Sequence, residues 1–422
     1  MSGYCDLILK NVSTSSGLVN DISIKDGMVV HSGSSSGRAE RIIDCKGLLV
    51  LPGVIDMHVH MRGGKEQSSK ETWETGTKSA LAGGVTHVVD QPNCIPPVKD
   101  IPSFDSRFAE AKEQALCNFS INAAVMEGAD LSGMHDAGAA AFGEIFAAPS
   151  SYGEGVPVKF LGQAFCEIDK IGGLATVHAE TVTEGLDDSL SAHNRLRSPE
   201  GEALAVSKVI ELAPENLRLH FCHLSCPESV NLVSGKNTFE VMPHHLLLSS
   251  GMFDERDTYA KVNPPVRDVK TRLDLWRYWD RIDVLASDHA PHTIAEKSAE
   301  FSCAPSGIPG VETMIPLFLA LVYRKKVSLQ SLIEKTTVNP ARILHMSCAG
   351  FEPGMRGDFA IYPQTAELID PERLHSLAGW TPYEGMEGVF PEKTILGGDV
   401  VYSDGEFFRG NPKWIPGDGY IE

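Results

Sequence analysis

Leu51-Pro-Gly-Val-Ile-Asp-Met-His-Val-His-Met-Arg62 begins as a short apolar strand and ends in two histidines spaced i and i+2. Side chains alternate across a strand, so His58 and His60 point to one face. Two neutral imidazoles side by side suit Zn²⁺ or another borderline divalent metal. Arg62, two residues further on, leans the same way, and its guanidinium can hold a carboxylate beside such a metal. H-x-H alone is a weak motif. Its meaning depends on what lies on either side of it.

Downstream, from Gly53 to about Gly350, short apolar segments alternate with longer helical ones. Strands are predicted at 54–59, 85–90, 119–125, 140–146, 174–177, 219–222, 238–241 and 284–286. Helices at 70–81, 103–115, 199–212 and 311–323 lie between them. Eight β-then-α units point to an α/β fold, a (β/α)₈ TIM-like barrel over residues 52–354. Polar residues recur at the C-terminal strand ends, the rim where such barrels carry their chemistry. They are His178, His223, Asp288 at the start of Asp-His-Ala-Pro-His292, and a carboxylate within Phe142-Gly-Glu-Ile-Phe146.

Upstream the character is different. Strands are predicted at 6–12, 19–24, 28–31, 41–44 and 48–51, with Lys25-Asp26-Gly27 as a hairpin signal. The Ser-rich stretch 32–36 reads as a solvated connection. Beyond Gly350 strands return at 358–362, 394–396 and 400–408, with a turn at Ser403-Asp404-Gly405. Both ends share this short-strand pattern, which predicts one small β domain built from residues 1–51 and 355–422.

The composition narrows the class. There are 37 basic and 56 acidic side chains, a formal net charge of −19. That disfavours nucleic acid or an anionic membrane surface as a partner, and an anionic small-molecule substrate would need local positive charge from metal and arginine. No apolar run reaches membrane-span length, and residues 1–20 lack a signal-peptide profile. The nine cysteines are scattered and odd in number, without C-x-x-C, which fits a reduced cytoplasm.

The chain resembles the amidohydrolase superfamily and, within it, the dihydroorotases. The matching stretches are Pro52–Arg62, Ala82-Gly-Gly-Val-Thr86, Gln91-Pro-Asn93, Val177-His-Ala-Glu180, Cys222-His223, Pro243-His-His-Leu246, Lys261-Val-Asn-Pro-Pro265, Ser287–His292, Gly307–Thr313 and Trp380-Thr-Pro-Tyr-Glu-Gly385. The resemblance implies two Zn²⁺ per chain. His58, His60 and Asp288 would hold one ion, and His178 and His223 the other. The residue between the metals departs from the common pattern, in which a carboxylated lysine ends the fourth strand. Two candidates exist. Lys159 has the right neighbours in Val-Lys-Phe but lies too close to His178 to leave room for a helix and a strand. Glu144 leaves that room, and Phe-Gly-Glu resembles the Phe-Ser-Asp of dihydroorotases that bridge with aspartate. Glu144, with a hydroxide, is the preferred bridge.

By the same resemblance Arg62, Asn93 and His292 grip the substrate carboxylate, while Asn263 and the Pro309-Gly310 backbone line the ring. Asp288 is the catalytic residue that takes and returns the proton. The implied reaction is the reversible interconversion of L-dihydroorotate and N-carbamoyl-L-aspartate in pyrimidine (UMP) synthesis. Allantoinase and dihydropyrimidinase or hydantoinase share the metal frame but usually lack an arginine two residues after H-x-H. An inactive dihydroorotase-like scaffold is the third reading, disfavoured because every ligand histidine is present. The sequence leaves open a homo-oligomer and an association with aspartate carbamoyltransferase.

Overall fold

The computed structural model describes residues 4–13, 19–34, 37–147 and 155–421. The chain opens with β1 (Cys5–Ser13), β2 (Val19–Lys25), β3 (Met28–Gly33), β4 (Ala39–Asp44) and β5 (Leu49–Pro52). The β2–β3 connection is the expected tight hairpin. Asp26 and Gly27 take φ of 51° and 80°, and two successive positive φ values match the right-handed twist of the flanking strands. Residues 35 and 36 of the Ser-rich stretch lie outside the described residues.

Eight parallel strands follow: β6 (Val54–Val59), β7 (Val85–Asp90), β8 (Asn118–Ile121), β9 (Phe142–Phe146), β10 (Leu174–His178), β11 (Arg218–Phe221), β12 (Thr238–Val241) and β13 (Val284–Leu285). They pair in sequence order as β6-β7-β8 and β9-β10-β11-β12-β13. Two parallel bridges close the ring, Ala123 with Phe142 and Val59 with His289. The barrel inferred from the alternation of the sequence is therefore present. Buried on both faces, such strands read as continuous apolar runs, and β6 and β7 are buried at every position. The main core lies between strands and outer helices. Val88, Phe119, Ile145 and Phe221 meet Leu81, Phe104, Phe165 and Phe318 there, each such side chain worth roughly 1.5–3 kcal/mol of burial.

The chain ends with β14 (Phe359–Tyr362), a short ladder of β15 (Glu367–Leu368) with β16 (Glu387–Gly388), then β17 (Lys393–Leu396), β18 (Asp399–Ser403) and β19 (Glu406–Phe407). One nine-stranded sheet joins both ends in the order β19-β18-β17-β14-β5-β1-β2-β3, with β4 on β1. The turn expected at Ser403-Asp404-Gly405 divides the 400–408 stretch into β18 and β19, with Asp404 and Gly405 at φ of 51° and 90°. The third and fourth barrel strands are shorter than their apolar runs. Asn122 and Ala123 still donate to the Asp90 and Ala141 carbonyls, but Ala124 N–H turns away to the Val98 carbonyl. The helix Pro199–Leu212 matches its expected limits, capped by Ser198, whose hydroxyl accepts from Gly201 N–H.

Candidate metal centre

The H-x-H strand delivers both histidines to the barrel mouth, and each is oriented from behind. His58 Nδ1 donates to Glu240 Oε1 at 2.6 Å, and His60 Nδ1 donates to Asn93 Oδ1 at 2.8 Å. Each ring therefore turns Nε2 and its lone pair inward, as a metal-ligating histidine must. Asp288 follows β13 with φ of 47°, an uncommon backbone for a non-glycine residue. Its Oδ1 lies 3.4 Å from His58 Nε2 and 3.2 Å from His60 Nε2. Asp56, on the His58 face of β6, accepts from Ser287 N–H at 3.1 Å and ties the first strand to the last.

The second pair stands across the mouth. His178 Nε2 lies 3.1 Å from Glu180, which Arg197 grips in turn. His178 thus presents Nδ1, and His223, with φ of 34°, presents Nε2. Glu144 lies between the two pairs. Its Oε1 is 2.8 Å from His178 Nδ1 and 2.7 Å from His223 Nε2. Its Oε2 is 3.6 Å from His58 Nε2 and 4.0 Å from His60 Nε2. Lys159 is exposed on the outer helix Val158–Ile171.

These donors fit divalent cations. Atoms held tetrahedrally at zinc distances lie about 3.3 Å apart; Asp288 Oδ1 stands 3.2–3.4 Å from the His58 and His60 Nε2 atoms, and all three ligand atoms lie within 4.8 Å of one another. His58 Nε2 is buried without a hydrogen-bond partner. Burial opposes charge throughout, yet His178, His223 and His58 hold the Glu144 carboxyl well below its ordinary range. Burial likewise opposes charge on His178, but Glu144 and Glu180 raise that imidazole to about 9. Two facing carboxylates among inward-turned imidazoles draw positive charge into the mouth.

A small open cavity lies beside this cluster, lined by His60, Glu144, His178, Val262, Asn263, Asp288, Ala290, Ser306 and Gly307. Arg62 is buried, its backbone held at φ of 51° by Arg107, which donates to its carbonyl at 2.7 Å. Arg62 Nη2 lies 3.4 Å from His292 Nε2. Burial, reinforced by Arg62, pushes His292 down to about 3, so its imidazole is neutral near pH 7. Asn93 Nδ2 and Asn263 Oδ1 are buried without hydrogen-bond partners. Gly310 N–H is given to His289 Nδ1 at 3.2 Å, and Pro309 precedes it.

Several supporting residues carry no motif. Glu240 orients His58 from the middle of β12 and also lies 3.4 Å from His220, a histidine without context in the sequence. His193, equally unremarked there, donates from Nε2 to the Val262 carbonyl at 3.0 Å. Glu71, fully buried, lies 3.3 Å from His289 and accepts from Ser376 Oγ at 2.5 Å.

A barrel mouth with this donor set defines a metal-dependent hydrolase, and residues 49–401 match the amidohydrolase family. The chain belongs to that family. Within it, the chain is 37% identical to a dihydroorotase of Methanosarcina acetivorans over 93% of its length and 92% of the relative's. It is also 37% identical to a dihydroorotase of Halobacterium salinarum, over 94% of this chain and 97% of that one. Among solved structures, the L-hydantoinase of Arthrobacter aurescens superposes with a TM-score of 0.90 at 27% identity, covering 96% of this chain and 97% of its own. The protein is a cyclic amide hydrolase of the dihydroorotase group. No helix among the described residues is long and apolar enough to cross a membrane.

Proposed function

We propose that this protein interconverts L-dihydroorotate and N-carbamoyl-L-aspartate. The observation that carries the reading is Arg62, a buried guanidinium 3.4 Å from His292, two residues from a metal-facing histidine whose other nitrogen is bound to Asn93. A fork of donors, an amide N–H₂ and a neutral imidazole suit a single carboxylate. The hydantoinase frame is equally compatible with the barrel, but a ring without a carboxylate has no use for this cation.

His58, His60 and Asp288 would hold one zinc ion and His178 and His223 another, with Glu144 reaching both. Bound there, such ions supply a water activated near neutral pH and polarise the ring carbonyl. Asp288 accepts the proton of that water as its oxygen bonds to the ring carbon. It then delivers the proton to the ring nitrogen as the C–N bond breaks. Arg62, Asn93 and His292 fix the carboxylate, and Asn263 faces the ring from the cavity wall. The same reading divides the chain into a β unit, 1–51 with 355–422, and the barrel, 52–354. Nine free thiols favour the cytoplasm.

The direct test follows ring opening and closure of dihydroorotate with metal-replete protein, with hydantoin and allantoin alongside, and counts zinc by elemental analysis. Turnover of dihydroorotate with two zinc ions per chain is expected. Preference for hydantoin would reassign the substrate. A separate test removes the carboxylate grip. Arg62→Met should lower kcat/KM for dihydroorotate about a hundredfold, the ~3 kcal/mol of a charge-assisted contact, without lowering any turnover of hydantoin. Undiminished activity on dihydroorotate would favour the hydantoinase reading.

A further inference from the structure

Lys297 closes the short helix Ile294–Lys297, five residues past His292, and is completely buried. Its Nζ donates to three backbone carbonyls, Pro305 at 3.0 Å, Lys261 at 3.1 Å and Gly307 at 3.2 Å. Its N–H groups face three carbonyl acceptors and, among the described residues, bond to no polar side chain. The ammonium also lies 5.3 Å from the Trp380 ring centroid, and Trp380 Nε1 donates to the His292 carbonyl at 2.8 Å. Among the described residues no carboxylate stands within ion-pair distance of Nζ. Gly307 N–H donates back to the Lys261 carbonyl at 3.0 Å, so the two carbonyl-bearing segments are joined twice.

A buried lysine normally answers a carboxylate. A methionine would fill this space without the desolvation cost of an ammonium. What the amine does here is join two stretches of backbone that line the cavity. Val262 and Asn263 come from one, Ser306 and Gly307 from the other. We infer that Lys297 is a positioning residue, whose Nζ sets the spacing between the 261–263 and 305–307 segments and thereby the fit of the substrate ring. The role rests on the reading of that cavity as the ring site. Lys261 does not compete for it, since its own Nζ donates to the Phe301 carbonyl at 2.6 Å.

The test compares Lys297→Met and the shorter, neutral Lys297→Gln with the unaltered holoenzyme. Four quantities are read: KM, kcat, zinc content, and hydrogen exchange at the Gly307 amide. In either folded variant KM for dihydroorotate should rise about tenfold or more, with kcat within about threefold. Zinc content should be unchanged and the Gly307 amide should exchange faster. An unmoved KM with an active parent overturns the role. So does a fall in kcat that tracks lost zinc, or failure of both variants to fold. If the parent itself does not act on dihydroorotate, the substrate reading fails alone. Unaltered Gly307 exchange in the variants then still decides against the tie.

Discussion

Asp288→Asn should leave a folded protein that keeps at least one zinc ion and loses about 10³–10⁴-fold in turnover, the upper range for removing a general acid–base. The amide preserves the shape of the side chain and one oxygen 3.2 Å from His60 Nε2 and 3.4 Å from His58 Nε2. It cannot accept a proton from water and return it to nitrogen. A pH arm separates this role from metal binding. Burial works to raise the Asp288 carboxyl, but His58 and His60 outweigh it and hold the group below its ordinary value. Near pH 7 the ionised form therefore dominates, which ring opening requires. Ring closure requires the protonated minority, so its rate should fall as pH rises, by up to about tenfold per unit, while ring opening does not fall. Initial rates in both directions between pH 6 and 9 are the measurement. Two rates climbing together would remove Asp288 from the proton path.

Much of the barrel is legible in the sequence, because buried parallel strands are continuous apolar runs between helical segments. Their ends were less legible. Residues 124 and 125 are as apolar as the strand they follow, yet Ala124 gives its N–H to the Val98 carbonyl rather than to a neighbouring strand. The metal-facing histidines were legible for a geometric reason. Period-two spacing puts His58 and His60 on one face, His178 ends a strand, and His223 follows one by two residues.

The residues behind them left a fainter trace. Glu240 sits inside a four-residue strand, 182 positions from the histidine it orients, and no spacing rule connects them. Its one signal was an acid within an apolar strand, which must find a partner. Lys297 gave less, since a lysine at a helix end reads as solvated until the chain around it is folded. Glu71 and His193 are similar cases. Each acts through backbone or side chains brought close only by barrel closure.

Glu144→Ala should lower metal affinity by more than about a hundredfold, since partners that merely orient a ligand are already worth ~10–100-fold, and should leave at most one zinc ion after dialysis. Glu144 carries the one carboxylate in the described centre that reaches both histidine pairs, 2.7–2.8 Å from His178 and His223 and 3.6–4.0 Å from His58 and His60. Without it, the second pair has only neutral imidazoles to face a cation. Its placement depends on the preceding residue. Gly143 has φ of 127°, and a Cβ there would come within 2.1 Å of the Thr176 carbonyl, so β9 can bring the carboxylate to the mouth only with glycine at that step. Lys159 supplies the control. It is exposed on the outer helix, and Lys159→Ala should keep both ions and full activity. Two tightly held ions in Glu144→Ala would remove it as the bridge, and metal loss in Lys159→Ala would transfer the role to the lysine.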